Sequence, residues 1–141
     1  MRFALPFLLI ASVAFANPKS DWIPLFDGKT LNGWVNKKGE PITEGWEVTE
    51  NGEIHRVAKV GDIFTTATFL NFELEFEWKV GPKTNSGLKY RWEQGVGFEY
   101  QVSDDIGLKY KPGHRAGCIY DIQPAAEDKP LKPVGEWNTA K

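Results

Sequence analysis

FELEFEWKV (residues 72–80), NSGLKYRWE (85–93) and GFEYQVSDD (97–105) are consecutive runs in which apolar and polar residues alternate. That period of two is the mark of a half-buried strand, whose successive side chains point to opposite faces. Phe72, Leu74, Phe76, Trp78 and Val80 fall on one side of the first run, with Glu73, Glu75, Glu77 and Lys79 on the other. In the second, Leu88, Tyr90 and Trp92 alternate with Lys89, Arg91 and Glu93; in the third, Phe98, Tyr100 and Val102 alternate with Glu99, Gln101 and Ser103. Gly81-Pro82 and residues 95–97 supply the turns between them. Three neighbouring strands are expected, with one apolar and one charged face. They form half of a β-sandwich, with the chemistry on the charged face.

The N-terminus has a different character. Residues 1–16, MRFALPFLLIASVAFA, combine one Arg, a short apolar run and Ala14-Phe15-Ala16. This is the pattern of a secretory signal peptide cut before Asn17, and it predicts an exported protein, periplasmic or extracellular. The apolar run is too short for a membrane span, and no later stretch is long enough. Cys118 is the single cysteine, so no disulfide forms within the chain. Without Arg2 the basic count falls from 17 to 16 against 19 acids, a net charge near −3. Nucleic acid is not an expected partner of such a chain, because binding phosphates needs a basic face.

Residues 17–21 read as a linker, and residues 22–141 as one all-β domain. Asp27-Gly28 and Asn32-Gly33 mark a tight loop ending on Trp34. Asn51-Gly52 between Trp46–Thr49 and Glu53–Val57 signals a hairpin. Asp62–Thr66 and Gly117–Ile122 read as further strands, and Ile106–Arg115 as a loop. No run with helical period follows the leader. About seven short strands with short turns predict a sandwich.

Five segments in order carry a resemblance: Leu25–Trp34 (LFDGKTLNGW), Asn85-Ser86-Gly87, Glu99-Tyr100-Gln101-Val102, Gly117–Asp121 (GCIYD) and Gly135–Asn138 (GEWN). In that order the chain resembles the 3-keto-disaccharide hydrolase family, from Ile23 to Lys141. The resemblance implies a concanavalin A-like jelly-roll β-sandwich acting on sugars oxidised at C3. Family members continue past the Glu-Trp-Asn motif through further strands, so the chain is expected to be a C-terminally truncated member, lacking strands and leaving a sheet edge open.

Glu99 and Gln101, two residues apart on one strand, share a face about 7 Å apart. A retaining glycosidase needs two carboxylates about the bond, and glutamine does not ionise. The pair therefore suits one working carboxylate beside an amide that hydrogen-bonds a sugar hydroxyl or carbonyl. Lys89 and Arg91 project from the neighbouring strand to the same face, where Arg91 either pairs with Glu99 or holds a keto oxygen. His114, in a loop after Pro112-Gly113, is a candidate acid or base, or a metal ligand. Asp104 either caps its turn or binds a sugar hydroxyl or a cation. No spaced His/Cys cluster marks a metal site, which leaves a divalent cation open.

The expected activity is cleavage of a 3-keto-glycoside or 3-keto-disaccharide. Glu99 and His114 serve as base and acid in either order, and Arg91, Gln101, Asp104, Lys89 and Trp34 contact the substrate. A base removes the C2 hydrogen acidified by the ketone, the C1 substituent leaves, and water completes a net hydrolysis. The alternative is a non-catalytic carbohydrate-binding module, which needs only exposed tryptophans such as Trp34 or Trp92 and a polar face.

Overall fold

The computed structural model of the chain describes residues 22–93 and 95–141; the leader (1–16) and linker (17–21) lie outside them. The described residues hold eight β-strands, one helical turn and one 3-10 turn, so the chain is all-β as its alternation requires. The contacts divide into two compact units, one ending at Phe69 and the other Leu70–Lys141.

The first unit is built from two antiparallel ribbons. β1 (Trp34–Val35) pairs with β4 (Phe64–Thr65), and β2 (Trp46–Val48) with β3 (Ile54–Arg56). The β2–β3 connection is the hairpin expected at Asn51-Gly52. Gly52 adopts φ 75°, and its N–H donates to the Thr49 carbonyl at 2.9 Å. Only glycine takes that backbone shape without penalty. In the Leu25–Trp34 segment, Asp27 accepts hydrogen bonds from the backbone N–H groups of Lys29 (2.8 Å) and Thr30 (2.7 Å) and from the Thr30 hydroxyl (2.7 Å). These donors favour the ionised form and hold its pKa at about 2. The Trp34 indole N–H closes the loop on the Leu25 carbonyl at 2.8 Å.

The second unit carries β5 (Phe76–Trp78), β6 (Asn85–Glu93), β7 (Val96–Ser103) and β8 (Asn138–Ala140). β6 and β7 form the expected hairpin, with Lys89 opposite Glu99 and Tyr90 opposite Phe98. β5 does not join it. Its partner is β8, with Trp78 opposite Asn138 and Phe76 opposite Ala140, which corrects the expectation of three consecutive neighbours. The change of layer occurs at Gly81–Thr84. Pro82 has no N–H to offer a ladder, Lys83 adopts φ 53°, and the Lys83 N–H is taken by the Asp104 carboxylate at 2.8 Å. Asn138, from the Glu-Trp-Asn motif, is buried and anchors the last ribbon, accepting from the Lys132 N–H at 2.8 Å.

The two ribbons face each other as sandwich layers. Trp78 of β5, Val102 of β7 and Ala116 form the buried centre, at 8%, 6% and 1% exposure, with Phe76, Val80, Tyr100, Leu131 and Ala140 around them. Phe76 meets Tyr100 edge to face at 5.4 Å. Burying Trp78 and Val102 removes apolar surface worth roughly 1.5–3 kcal/mol per side chain. The apolar stripe does not bury evenly, because Phe72 and Phe98 remain exposed and flank Tyr90 at ring distances of 6.5 and 5.5 Å.

Two further expectations change. Ile106–Arg115 is more than a loop: Asp105–Leu108 makes one helical turn (α1), capped by Asp104, and Pro112–His114 makes the 3-10 turn. Gly117–Ile122 is not a continuous strand. Gly117 (φ 80°) and Asp121 (φ 55°) break its extended backbone, and only isolated bridges, Tyr100 to Ile119 and Ile119 to Gln123, survive.

Candidate active site

The broken segment still pairs with β7. The Gly117 N–H donates to the Gln101 carbonyl (2.8 Å), the Gln101 N–H to the Cys118 carbonyl (3.1 Å), and the Tyr120 N–H to the Glu99 carbonyl (2.9 Å). Directly opposed residues of a ladder share a face. One row therefore runs Lys89, Glu99, Tyr120, and the next Gly87, Gln101, Cys118. This is the polar face on which the alternation places the chemistry.

Glycine at 87 gives Glu99 its place. A Cβ built on Gly87 would stand 2.6 Å from Cγ and 2.7 Å from Cδ of Glu99. The carboxylate thus lies across the neighbouring strand, over bare backbone. Glu99 is half-buried there.

Part of this face is buried. Gln101 is 2% exposed and Cys118 is fully buried. The 3-10 turn covers Cys118: the Cys118 thiol donates to the Gly113 carbonyl at 3.1 Å, and the Asp121 N–H donates to the same carbonyl at 3.0 Å. Burial pushes the Cys118 thiol pKa upward. Gln101 is enclosed, and Glu99, two residues before it, is half-buried.

His114 closes the turn. Its ring stacks on Tyr120 at 4.3 Å, with an interplanar angle of 15°, and meets Tyr110 edge-on at 6.0 Å. Its Nε2 lies 2.8 Å from Asp121 Oδ1, which also accepts from Lys111 Nζ at 3.1 Å. The hydrogen bond to His114, then that to Lys111, hold the Asp121 carboxyl below its ordinary range. Glu99 and His114, expected to work together, are thus joined through Tyr120: its backbone binds Glu99 and its ring carries His114.

The other sequence-predicted residues fall elsewhere. Arg91 does not stand in the row with Glu99. The register shifts between Tyr90 and Glu93, Arg91 adopts φ 50°, and its guanidinium donates to the Leu70 carbonyl at 3.4 Å. This bulge breaks the strict alternation that suggested an Arg91–Glu99 pair; Lys89 is the residue opposite Glu99. The Lys89 ammonium also lies 4.7 Å from the Trp92 ring centre. Asp104 fits its capping alternative. It is buried, and its two carboxylate oxygens accept from the Gly107 N–H (2.9 Å) and the Lys83 N–H (2.8 Å), which lower its pKa in that order. Trp34 belongs to the first unit, with its indole N–H bound to Leu25.

Sequence reasoning passed over Asp121, although it ends the Gly117–Asp121 motif. Its partner is seven positions away on a different turn, and no periodicity reports such a pair. Among the described residues, no three His, Cys, Asp or Glu side chains gather as a metal site, and no helix is long and apolar enough to cross a membrane.

Residues 21–141 match the family model described as a 3-keto-alpha-glucoside-1,2-lyase-like domain. A curated relative from Bacteroides thetaiotaomicron, named 3-keto-disaccharide hydrolase, is 32% identical over 149 residues, an alignment that covers 85% of this chain. The matched region is 51% of the relative, so the chain spans about half its length.

Proposed function

This chain belongs to the 3-keto-alpha-glucoside-1,2-lyase-like domain family, and on that basis we propose that it cleaves glycosides carrying a ketone at C3. The ketone acidifies the hydrogen on C2. A base takes that proton, the electron pair moves into an enolate, and the C1–oxygen bond breaks as the aglycone leaves. Addition of water across the resulting double bond gives the products of hydrolysis. The words lyase and hydrolase in the names of the family and of the relative fit the two halves of this sequence.

The observation that carries this reading is the Glu99 carboxylate over Gly87, in one row with Tyr120, on whose ring His114 stacks. Glu99 and His114 divide the acid and base roles. Lys89 faces the developing enolate charge, and Gln101 bounds the site from beneath. The substrate is an oxidised disaccharide or glycoside. The leader at residues 1–16 directs the protein to the periplasm or beyond.

The test is turnover of matched 3-keto and unoxidised disaccharides, with and without chelator. Only the keto-sugar should be cleaved, and Glu99→Gln should lower kcat by about 100-fold or more. Chelator sensitivity would add a divalent cation to the site. Full activity of Glu99→Gln would remove Glu99 from the mechanism. A second reading, a carbohydrate-binding module, is favoured by the exposed Trp92 and Trp137, beside Lys89 and Lys79. It predicts binding of unoxidised glycans without turnover, lost in Trp92→Ala.

A further inference from the structure

We propose that Asp121 is a positioning residue that holds His114 as the Nε2–H tautomer, making Nδ1 the nitrogen that exchanges protons with substrate. The inference rests on the role given to His114 above. An ionised carboxylate only accepts hydrogen bonds. With Asp121 Oδ1 at 2.8 Å, Nε2 must carry the hydrogen, and in the neutral ring the lone pair falls on Nδ1. Nδ1 lies 3.5 Å from the Tyr120 hydroxyl, on the residue whose row partner is Glu99. The hydrogen-bonded nitrogen thus faces Asp121, and the basic one lies over the Tyr120 hydroxyl.

The backbone is shaped for this contact. Strict alternation would send the Asp121 side chain to the face opposite Tyr120. Asp121 instead adopts φ 55°, a left-handed conformation uncommon outside glycine and best tolerated by Asp and Asn. Its N–H is tied to the Gly113 carbonyl at 3.0 Å, which couples it to the turn bearing His114. Such conformations gather at functional sites, where surrounding contacts impose them. Among the described residues, Lys111, 3.1 Å from the same oxygen, is a further charge facing the pair, and Tyr110 and Tyr120 are titratable groups against the ring. When Nδ1 takes a proton, the imidazolium charge sits against the Asp121 carboxylate, which stays ionised.

The chain has two histidines. His55 pairs with Glu47 in the first unit, so His55→Gln leaves one imidazole to observe. In that background, ¹⁵N NMR of the neutral ring should show Nε2–H. Asp121→Asn keeps the size and the tolerance for positive φ, and presents its NH₂ to the ring. It should raise the Nδ1–H fraction, and lower kcat on the 3-keto disaccharide by about 100-fold with KM within about twofold. Asp121→Glu should recover part of the loss. Nδ1–H as the main wild-type tautomer would overturn the proposal, as would an Asp121→Asn variant with unchanged kcat. The expected tautomers without turnover by the wild type would leave the positioning standing and remove the proposed function.

Discussion

The Glu99 carboxylate occupies the space that a side chain on Gly87 would fill, its Cδ 2.7 Å from where that Cβ would stand. Gly87→Ala must therefore displace the carboxylate. Because the displaced group is the end of a flexible side chain, stability should change by less than about 1 kcal/mol. Turnover should fall nearly as far as in Glu99→Gln. Urea unfolding beside kcat checks both, and wild-type kcat in Gly87→Ala would mean that the carboxylate works from another position.

Acid should unfold the protein through its hydrogen-bonded aspartates. Asp27, Asp104 and Asp121 all have folded-state pKa values lowered by hydrogen-bond donors, Asp27 to about 2. Depressed values contribute stability that is present above the unfolded carboxylate pKa and lost as pH falls through the folded values. Tm should hold steady near neutrality and drop between about pH 4 and pH 2. In Asp104→Asn an NH₂ meets a backbone N–H; Tm at pH 7 should fall by about 3–6 °C, and the acid slope should flatten.

The Cys118 thiol should be inert in the folded protein. It is buried, its pKa is raised by that burial, and it donates to the Gly113 carbonyl. A thiol-specific reagent should label it about 100-fold or more slower in buffer than in denaturant. Equal rates would mean that the turn over Cys118 opens freely.

Asp105 and Lys129 form an ion pair at 2.8 Å with 11% and 20% of their side chains exposed. Asp105 also accepts from the Ser103 hydroxyl and the Ala116 N–H, at 2.7 and 2.8 Å. Lys129→Met leaves that carboxylate with its hydrogen bonds but no counter-charge, which should cost about 1–3 kcal/mol. Denaturant midpoints read the loss, and Asp105→Asn in the same chain should return part of it.

Alternation made the β6–β7 hairpin legible, and Asn51-Gly52 the β2–β3 hairpin, because both signals are local. The five motifs named the family, and the contacts give them reasons: Asp27 closes its loop, Gly87 makes room for Glu99, and Asn138 anchors β8. What was illegible is non-local. A period of two assigns faces but not partners, so β5 was assigned to the wrong neighbour. The burial of Cys118, opposite Gln101, is not announced locally because its cover arrives from Pro112–His114. Arg91 was misplaced and Asp121 passed over, and in both a positive φ redirects the side chain without a glycine to announce it.

The β5–β8 ribbon has a consequence for synthesis. Trp78 and Asn138 are opposite each other, yet roughly sixty residues separate them in the chain. At about 5–20 residues per second on the ribosome, β5 waits several seconds before the strand that pairs with it exists. The β6–β7 hairpin needs no such delay, since its strands are joined by a short turn. Birth order is therefore hairpin first and ribbon last, and in the interval the nascent chain presents Trp78 and Phe76 without the ribbon that completes their layer. That interval is when a chaperone would have a substrate.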